Sequence, residues 1–178
     1  MTGRFLRRLG RDTRGVSAVE FALIAPVMIM IYFGLVEFCQ GYMAQKRNAH
    51  VASIVADMVA QNATLTPAQI ANVFSVGDKI MRPFGDAELS QRVTNIRRTD
   101  PSNKVVWSRA TGEFSARGKN SNVDLPPGLA VSNGDAVIMA ESEYKYRSLV
   151  NFVLPQPITF RHVSYLRPRN ADVACAAC

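Results

Sequence analysis

Side chains able to do chemistry are sparse in this chain, and most stand apart. Cys175 and Cys178 make a C-x-x-C at the end of the sequence, and Cys39 lies far upstream. A C-x-x-C serves as a redox pair, as half a zinc site or as a small disulfide. A thioredoxin-like pair opens a helix after a strand, whereas this one closes the sequence. Zinc needs two further ligands, and none stands at a fitting spacing. Outside the cytoplasm, oxidising conditions favour a disulfide; free or intermolecular thiols, and a metal or redox role, stay open beside it. His50 falls on a predicted helix and His162 on a predicted strand, and each reads as a surface or core histidine. There is no H-E-x-x-H, no G-x-S-x-G and no glycine-rich phosphate loop. The expectation is therefore no catalytic residue, no metal, no cofactor and no small-molecule substrate.

One carboxylate is unusual for its setting. From Val16 to Val36 the chain is apolar except for Ser17 and Glu20. A helix of that length spans about 30 Å, the hydrocarbon thickness of a bilayer. A core helix of a soluble protein needs a polar face, and this run has none. The reading is a membrane helix that carries a glutamate near its start. Arg4, Arg7, Arg8, Arg11 and Arg14 precede it, against Asp12 alone, so this arm holds +4 of the formal net charge of +7. The basic balance is a property of the arm and does not argue for nucleic acid. Only Lys46 and Arg47 follow closely, so the arginine side is expected to stay cytoplasmic and the rest to lie outside. A cleaved secretory signal needs a shorter apolar core and a small-x-small site. A lipoprotein signal needs small residues before its cysteine, and Val36, Glu37 and Phe38 precede Cys39.

Gly15, Val16 and then Glu20 complete the pattern. A basic leader ending in glycine, followed by an apolar helix with glutamate at the fifth mature position, resembles a type IV prepilin. More narrowly, Arg14, Gly15, Ala18, Val19, Glu20, Phe21, Ala22, Leu23, Ile24 and Pro26 resemble the TadE/TadF-type pseudopilins of tight-adherence (Flp-type) pili. Val105–Arg109, Pro126-Pro127, Ala140–Tyr146 and Tyr165–Arg169 resemble the C-terminal half of that family more weakly. The resemblance implies cleavage by a prepilin peptidase after Gly15, where glycine lets the backbone lie extended in a tight cleft. It leaves Val16 as a new amine at the membrane boundary. A neighbouring subunit's amine would then pair with Glu20 and offset part of the roughly 2.5–3.5 kcal/mol of an unpaired charge at a helix centre. The alternative is that Glu20 snorkels to the interface or stays protonated.

The elements that position these residues follow from local pattern. Pro26 lacks an N–H and clashes with the carbonyl of Ala22, so a kink or a tolerated proline is expected. Gly34 allows close helix contact, and Glu37 marks the outer membrane boundary. Beyond Gly41 the helix is expected to continue to Gln61. Val51, Ile54, Val55, Met58 and Val59 make its apolar stripe. Thr66-Pro67 starts a second helix, running to about Arg82 with Ile70, Val73, Phe74 and Ile80 inward. Strands are expected at Leu89–Arg98, Lys104–Ala110, Ala136–Tyr146 and Ile158–Arg167, separated by turn signals such as Thr111-Gly112 and Asn133-Gly134. Arg92, Arg97, Arg98, Lys104, Arg109, Arg117 and Lys119 read as a solvated face rather than a nucleic-acid or polysaccharide patch.

The expected architecture is α+β and pilin-like: a long N-terminal transmembrane and amphipathic helix packed on a small antiparallel sheet. Residues 1–15 form a leader that is cleaved, 16–40 the transmembrane helix, 41–62 its amphipathic continuation and 63–178 an extracytoplasmic α+β domain. The resemblance implies a minor pilin or pseudopilin in Flp/Tad pilus assembly and surface adhesion, anchored in the cytoplasmic membrane. Its partners would be other pilins, Tad inner-membrane assembly proteins and a prepilin peptidase. The runner-up is an uncleaved single-pass anchor displaying an extracytoplasmic ligand-binding domain. An envelope enzyme ranks last, since no site is visible.

Overall fold

The computed structural model describes residues 15–85, 88–129, 132–148, 156–176 and 178. The arginine arm, residues 1–14, lies outside the described residues. Helix α1 runs from Val16 to Ala60 as one element, through Pro26. A two-residue strand, β1 (Thr64–Leu65), leads into helix α2 (Pro67–Ile80). Strands β2 (Leu89–Thr99), β3 (Ser102–Thr111), β4 (Ala136–Tyr146) and β5 (Ile158–Leu166) follow, and β6 (Ala174–Cys175) ends the order. The fold is α+β, a long helix laid on a small antiparallel sheet.

Local chemistry explains the boundaries. Thr66 caps α2 through a full capping box, in which the Thr66 hydroxyl accepts from the Gln69 N–H and the Gln69 carboxamide accepts from the Thr66 N–H. Pro67 sits where a missing N–H is harmless. Helix α2 ends at Ile80, two residues short of the expected Arg82. Gly112 closes the β3 strand at φ +70; a Cβ there would come within 2.7 Å of the Leu89 carbonyl oxygen, so the turn needs glycine.

The four-stranded sheet has the order β3-β2-β4-β5, every neighbour antiparallel. A register shift at Asn95/Ile96 places Trp107 opposite Asn95 and Val105 opposite Ile96. Strand β4 runs down α1 and β5 runs back up. Ser148 meets Glu37, Ser142 meets Asn48, and the Arg169 N–H donates to the Ala60 carbonyl. The α1 residues Glu37, Gly41, Ala44, Asn48, Val51, Val55 and Val59 are buried at steps of three and four, one helical stripe. Ile54 and Met58, expected on the core face, are only half-buried beside it. Ala52, Ala56 and Ala60 share the buried side instead, because small side chains let the helix approach α2 and the sheet closely.

Core residues of α1, α2 and the helix-facing sheet side, among them Val55, Ile70, Phe74, Val93, Trp107 and Ile138, form one cluster. The far side of the sheet holds a second, smaller cluster of Ile96, Val105, Val123 and Met139. It is roofed by the β3–β4 connection, whose backbone zips onto the β3 edge: Val105 N–H donates to the Ser121 carbonyl at 3.0 Å and Val123 N–H to that of Asn103 at 3.0 Å. The C-terminal tail is stitched in from the other direction. Strand β6 pairs with β1 in parallel, and the buried Val173 carbonyl accepts from both Trp107 Nε1 (2.7 Å) and Asn95 Nδ2 (2.8 Å).

Candidate membrane and assembly interface

Helix α1 divides into two surfaces. From Val16 to Phe33 every residue except Ala25 is exposed, although nearly all are apolar. Phe21 and Leu23 show 72% and 70% of their surface. This is one helix long and apolar enough to cross a membrane, and none of its most apolar window is buried among the described residues. Water would hold so large a bare apolar surface at high free-energy cost, whereas lipid solvates it. Glu20 projects from the same bare stretch and has no hydrogen-bond or ion-pair partner among the described residues. Gly15 precedes the helix as its N-cap residue without a side-chain cap, and an added Cβ there meets nothing. Pro26 is exposed and Gly34 half-buried.

The junction between the bare and packed halves is polar and closed. Glu37, expected to mark the outer membrane boundary, is only 2% exposed. The Ser148 hydroxyl donates to its carboxylate at 2.5 Å. Tyr146 lies against the helix beside Gly41, its ring edge-on to Phe84 and tilted against Phe160. Burial, and then the nearby Glu37 charge, pushes the Tyr146 hydroxyl up from its ordinary value. The membrane-proximal end of β4 is thereby pinned to α1 one residue after the apolar run ends. Neither Glu37 nor Ser148 gives a local signal for this, because they meet across 111 residues.

A second polar centre sits on the sheet face away from α1. Glu141 is 3% exposed. It is held by Arg92 Nε at 2.6 Å, Arg161 Nη2 at 2.7 Å and Arg117 Nη2 at 3.2 Å. Phe114 lies under the guanidiniums of Arg92 and Arg161. Burial alone would raise the Glu141 pKa; hydrogen bonds from Arg92 and Arg161 and the charges of Arg92 and Arg117 overcome it and hold the value at about 2. Arg97 pairs with Asp172 and Arg98 with Asp100. The cations read from sequence as a solvated face are therefore partly structural. Arg92 and Arg117 clamp the β3–β4 connection onto the sheet, and Arg92 also donates to the Ser115 carbonyl at 3.1 Å.

Cys175 and Cys178 are joined in a disulfide with Cα atoms 5.5 Å apart, and Cys39 is free and exposed on α1. His50 and His162 are exposed and far apart in the sequence. Among the described residues no group of three or more His, Cys, Asp or Glu could hold a metal ion.

Compared with known proteins, residues 15–64 match the family model described as TadE-like protein. The match spans both halves of α1 and ends at the first residue of β1. No curated protein and no solved structure matches the chain.

Proposed function

We propose that this chain, TadE-like from Gly15 to Thr64, is a minor pilin or pseudopilin acting in Flp/Tad-type pilus assembly and surface adhesion. The observation that carries this is the bare apolar helix half: it is TadE-like in sequence, uncovered among the described residues, and bears one glutamate about one turn past Val16. The arginine arm holds the leader on the cytoplasmic face. A prepilin peptidase cuts between Gly15 and Val16. The bare half sits in the cytoplasmic membrane and then leaves lipid for the helical core of a fibre, where the same surface is covered by neighbouring helices. Glu20 pairs there with the new N-terminal amine of an adjacent subunit and sets register, since a lone carboxylate is costly in hydrocarbon and pairing offsets part of that cost. Phe21 and Gly34 contribute packing and close approach, and Pro26 a local break in the hydrogen-bond ladder.

The domain from residue 63 onward lies outside the cytoplasm, where the Cys175–Cys178 disulfide is stable. It caps, primes or decorates the fibre. Its partners are other pilins and the Tad inner-membrane assembly proteins; chemistry on a small molecule is not part of its role.

Intact mass and N-terminal sequencing of the protein from its native membrane test the reading. A mature chain beginning at Val16, abolished by a Gly15→Ala block, is expected. A chain that keeps its arginines would make the protein a permanent single-pass anchor and move attention to ligands of the outer domain.

A further inference from the structure

At the β3 edge of the sheet a cleft of about 440 Å³ opens beside the Cys175–Cys178 disulfide. Val106, Trp107 and Ser108 line it from β3, and Cys175 and Cys178 line it from the tail. The β3–β4 connection closes the β3 edge only in part. Its backbone bonds reach Asn103 and Val105, and the strand residues at the cleft come after them. Lys119 is exposed at the rim, while Arg97 and Arg117 are answered by Asp172 and Glu141.

The disulfide does little to hold the fold. It joins residues with a sequence separation of only 3, and the constraint that a disulfide places on the unfolded chain shrinks with the loop it closes. The tail before it is tied down by other means. The Arg169 N–H donates to the Ala60 carbonyl, β6 pairs with β1, Asp172 meets Arg97, and the Val173 carbonyl accepts from Trp107 and Asn95. Opening the S–S bond therefore leaves β6 in place. The two sulfurs also differ in access. Cys178 is exposed, while Cys175 is half-buried and packs against the main core. Exchange depends on access and on which sulfur is attacked, so an incoming thiol meets Cys178 first.

We propose that the Cys175–Cys178 disulfide is an exchange site that captures a cysteine carried on an extended peptide segment of a partner. The segment lies along β3 at Val106–Ser108, where an edge strand offers backbone donors and acceptors. The partner's thiol loses its proton to solvent, and the thiolate attacks Cys178 Sγ. A new S–S bond forms to Cys178 as the bond to Cys175 breaks. Cys175 Sγ leaves with the electron pair and takes a proton from solvent. The product is a mixed disulfide on Cys178 beside a Cys175 thiol. Because β6 keeps Cys175 at hand, its return attack restores the original bond and frees the partner. Capture is thus reversible and needs no reductant other than the partner's thiol. It does not depend on processing at Gly15.

The test uses the full chain in detergent, with Cys39→Ser to remove the free thiol and reduced glutathione as the peptide thiol. Mass spectrometry after acid quenching should find glutathione on Cys178, with Trp107 emission unchanged because the tail stays docked. At equal thiolate concentration 2-mercaptoethanol should open the bond about tenfold more slowly, as for one backbone hydrogen bond lost. In the same background, oxidised glutathione should label Cys178 in Cys175→Ser about tenfold faster than Cys175 in Cys178→Ser, following exposure. A bond that opens only after urea unfolds the domain overturns the site, and so does a shift in Trp107 emission on opening. Equal rates with the two thiols, or equal labelling of the two single-cysteine variants, overturn it as well.

Discussion

The two halves of α1 are continuous in backbone and opposite in environment. Between Val16 and Phe33 the side chains are mostly apolar and bare, many of them large; between Gly41 and Ala60 a narrow stripe of valine, alanine and asparagine is buried against the sheet and α2. The bare half has the more apolar sequence, yet it is the packed half that holds the domain together. Hydrophobicity alone thus does not decide where a helix is buried. Shape does: Gly41, Ala44, Ala52 and Ala56 are small enough to bring the helix axis close to β4, β5 and α2, while Phe21, Leu23 and Ile29 are too bulky and too evenly distributed round the helix to present a single packing face. Such a surface is satisfied by lipid or by other helices.

The contrast can be broken from either side. The largest effect is expected in the domain core. Ile138→Ala removes a fully buried side chain and should lower stability by about 2–5 kcal/mol. Urea unfolding of the full chain in detergent, followed by Trp107 emission, reads this loss, while membrane insertion should not change. The reverse experiment is Ile29→Arg. It should make insertion less favourable by about 2.5–3.5 kcal/mol, read as the fraction resisting alkaline extraction, with the urea midpoint of the domain unmoved. A fall in both readouts would mean that the bare half does pack on the domain.

Acid sharpens the comparison, because the domain carries a strongly depressed carboxylate. The Glu141 pKa is about 2 against an ordinary 4.5. A lowered folded value means that the unfolded chain binds the proton first. The contribution, about 3 kcal/mol from that difference, is fully present above pH 4.5 and is lost as pH falls toward 2. Urea midpoints measured down that range should fall, and Glu141→Gln should flatten the slope while lowering stability at neutral pH. An unchanged slope in the variant would assign the acid response to other carboxylates. The smallest effect is local: Thr66→Ala removes the α2 cap and should cost about 1 kcal/mol. Hydrogen exchange should rise in the first turn of α2 and nowhere in the bare half of α1.

Local physics made much of this protein legible. The membrane-length run, its charged flank, the Thr66-Pro67 helix start and the four long strands all announce themselves through periodicity, caps and turn residues. Those act between neighbours a few positions apart. Even the strand ends fell close: β4 begins at Ala136 and ends at Tyr146 as its pattern suggests. The α1 stripe announces itself only where it is apolar; Glu37, Gly41, Ala44 and Asn48 belong to it, but polar and small residues do not register in a hydrophobic count.

The meetings of distant residues, by contrast, are set by the folded chain alone. Arg92, Arg117 and Arg161 find one glutamate from three separate segments. Val173 brings its carbonyl to Trp107 and Asn95, and β1 takes β6 as its partner. Ser148 closes over Glu37. In the sequence each of these is an ordinary polar or apolar residue, because a charge or a carbonyl carries no mark of its partner. The partner is set when the sheet order β3-β2-β4-β5 folds chain segments tens of residues apart to within hydrogen-bonding distance, where desolvation makes each unmatched group costly and each matched one specific.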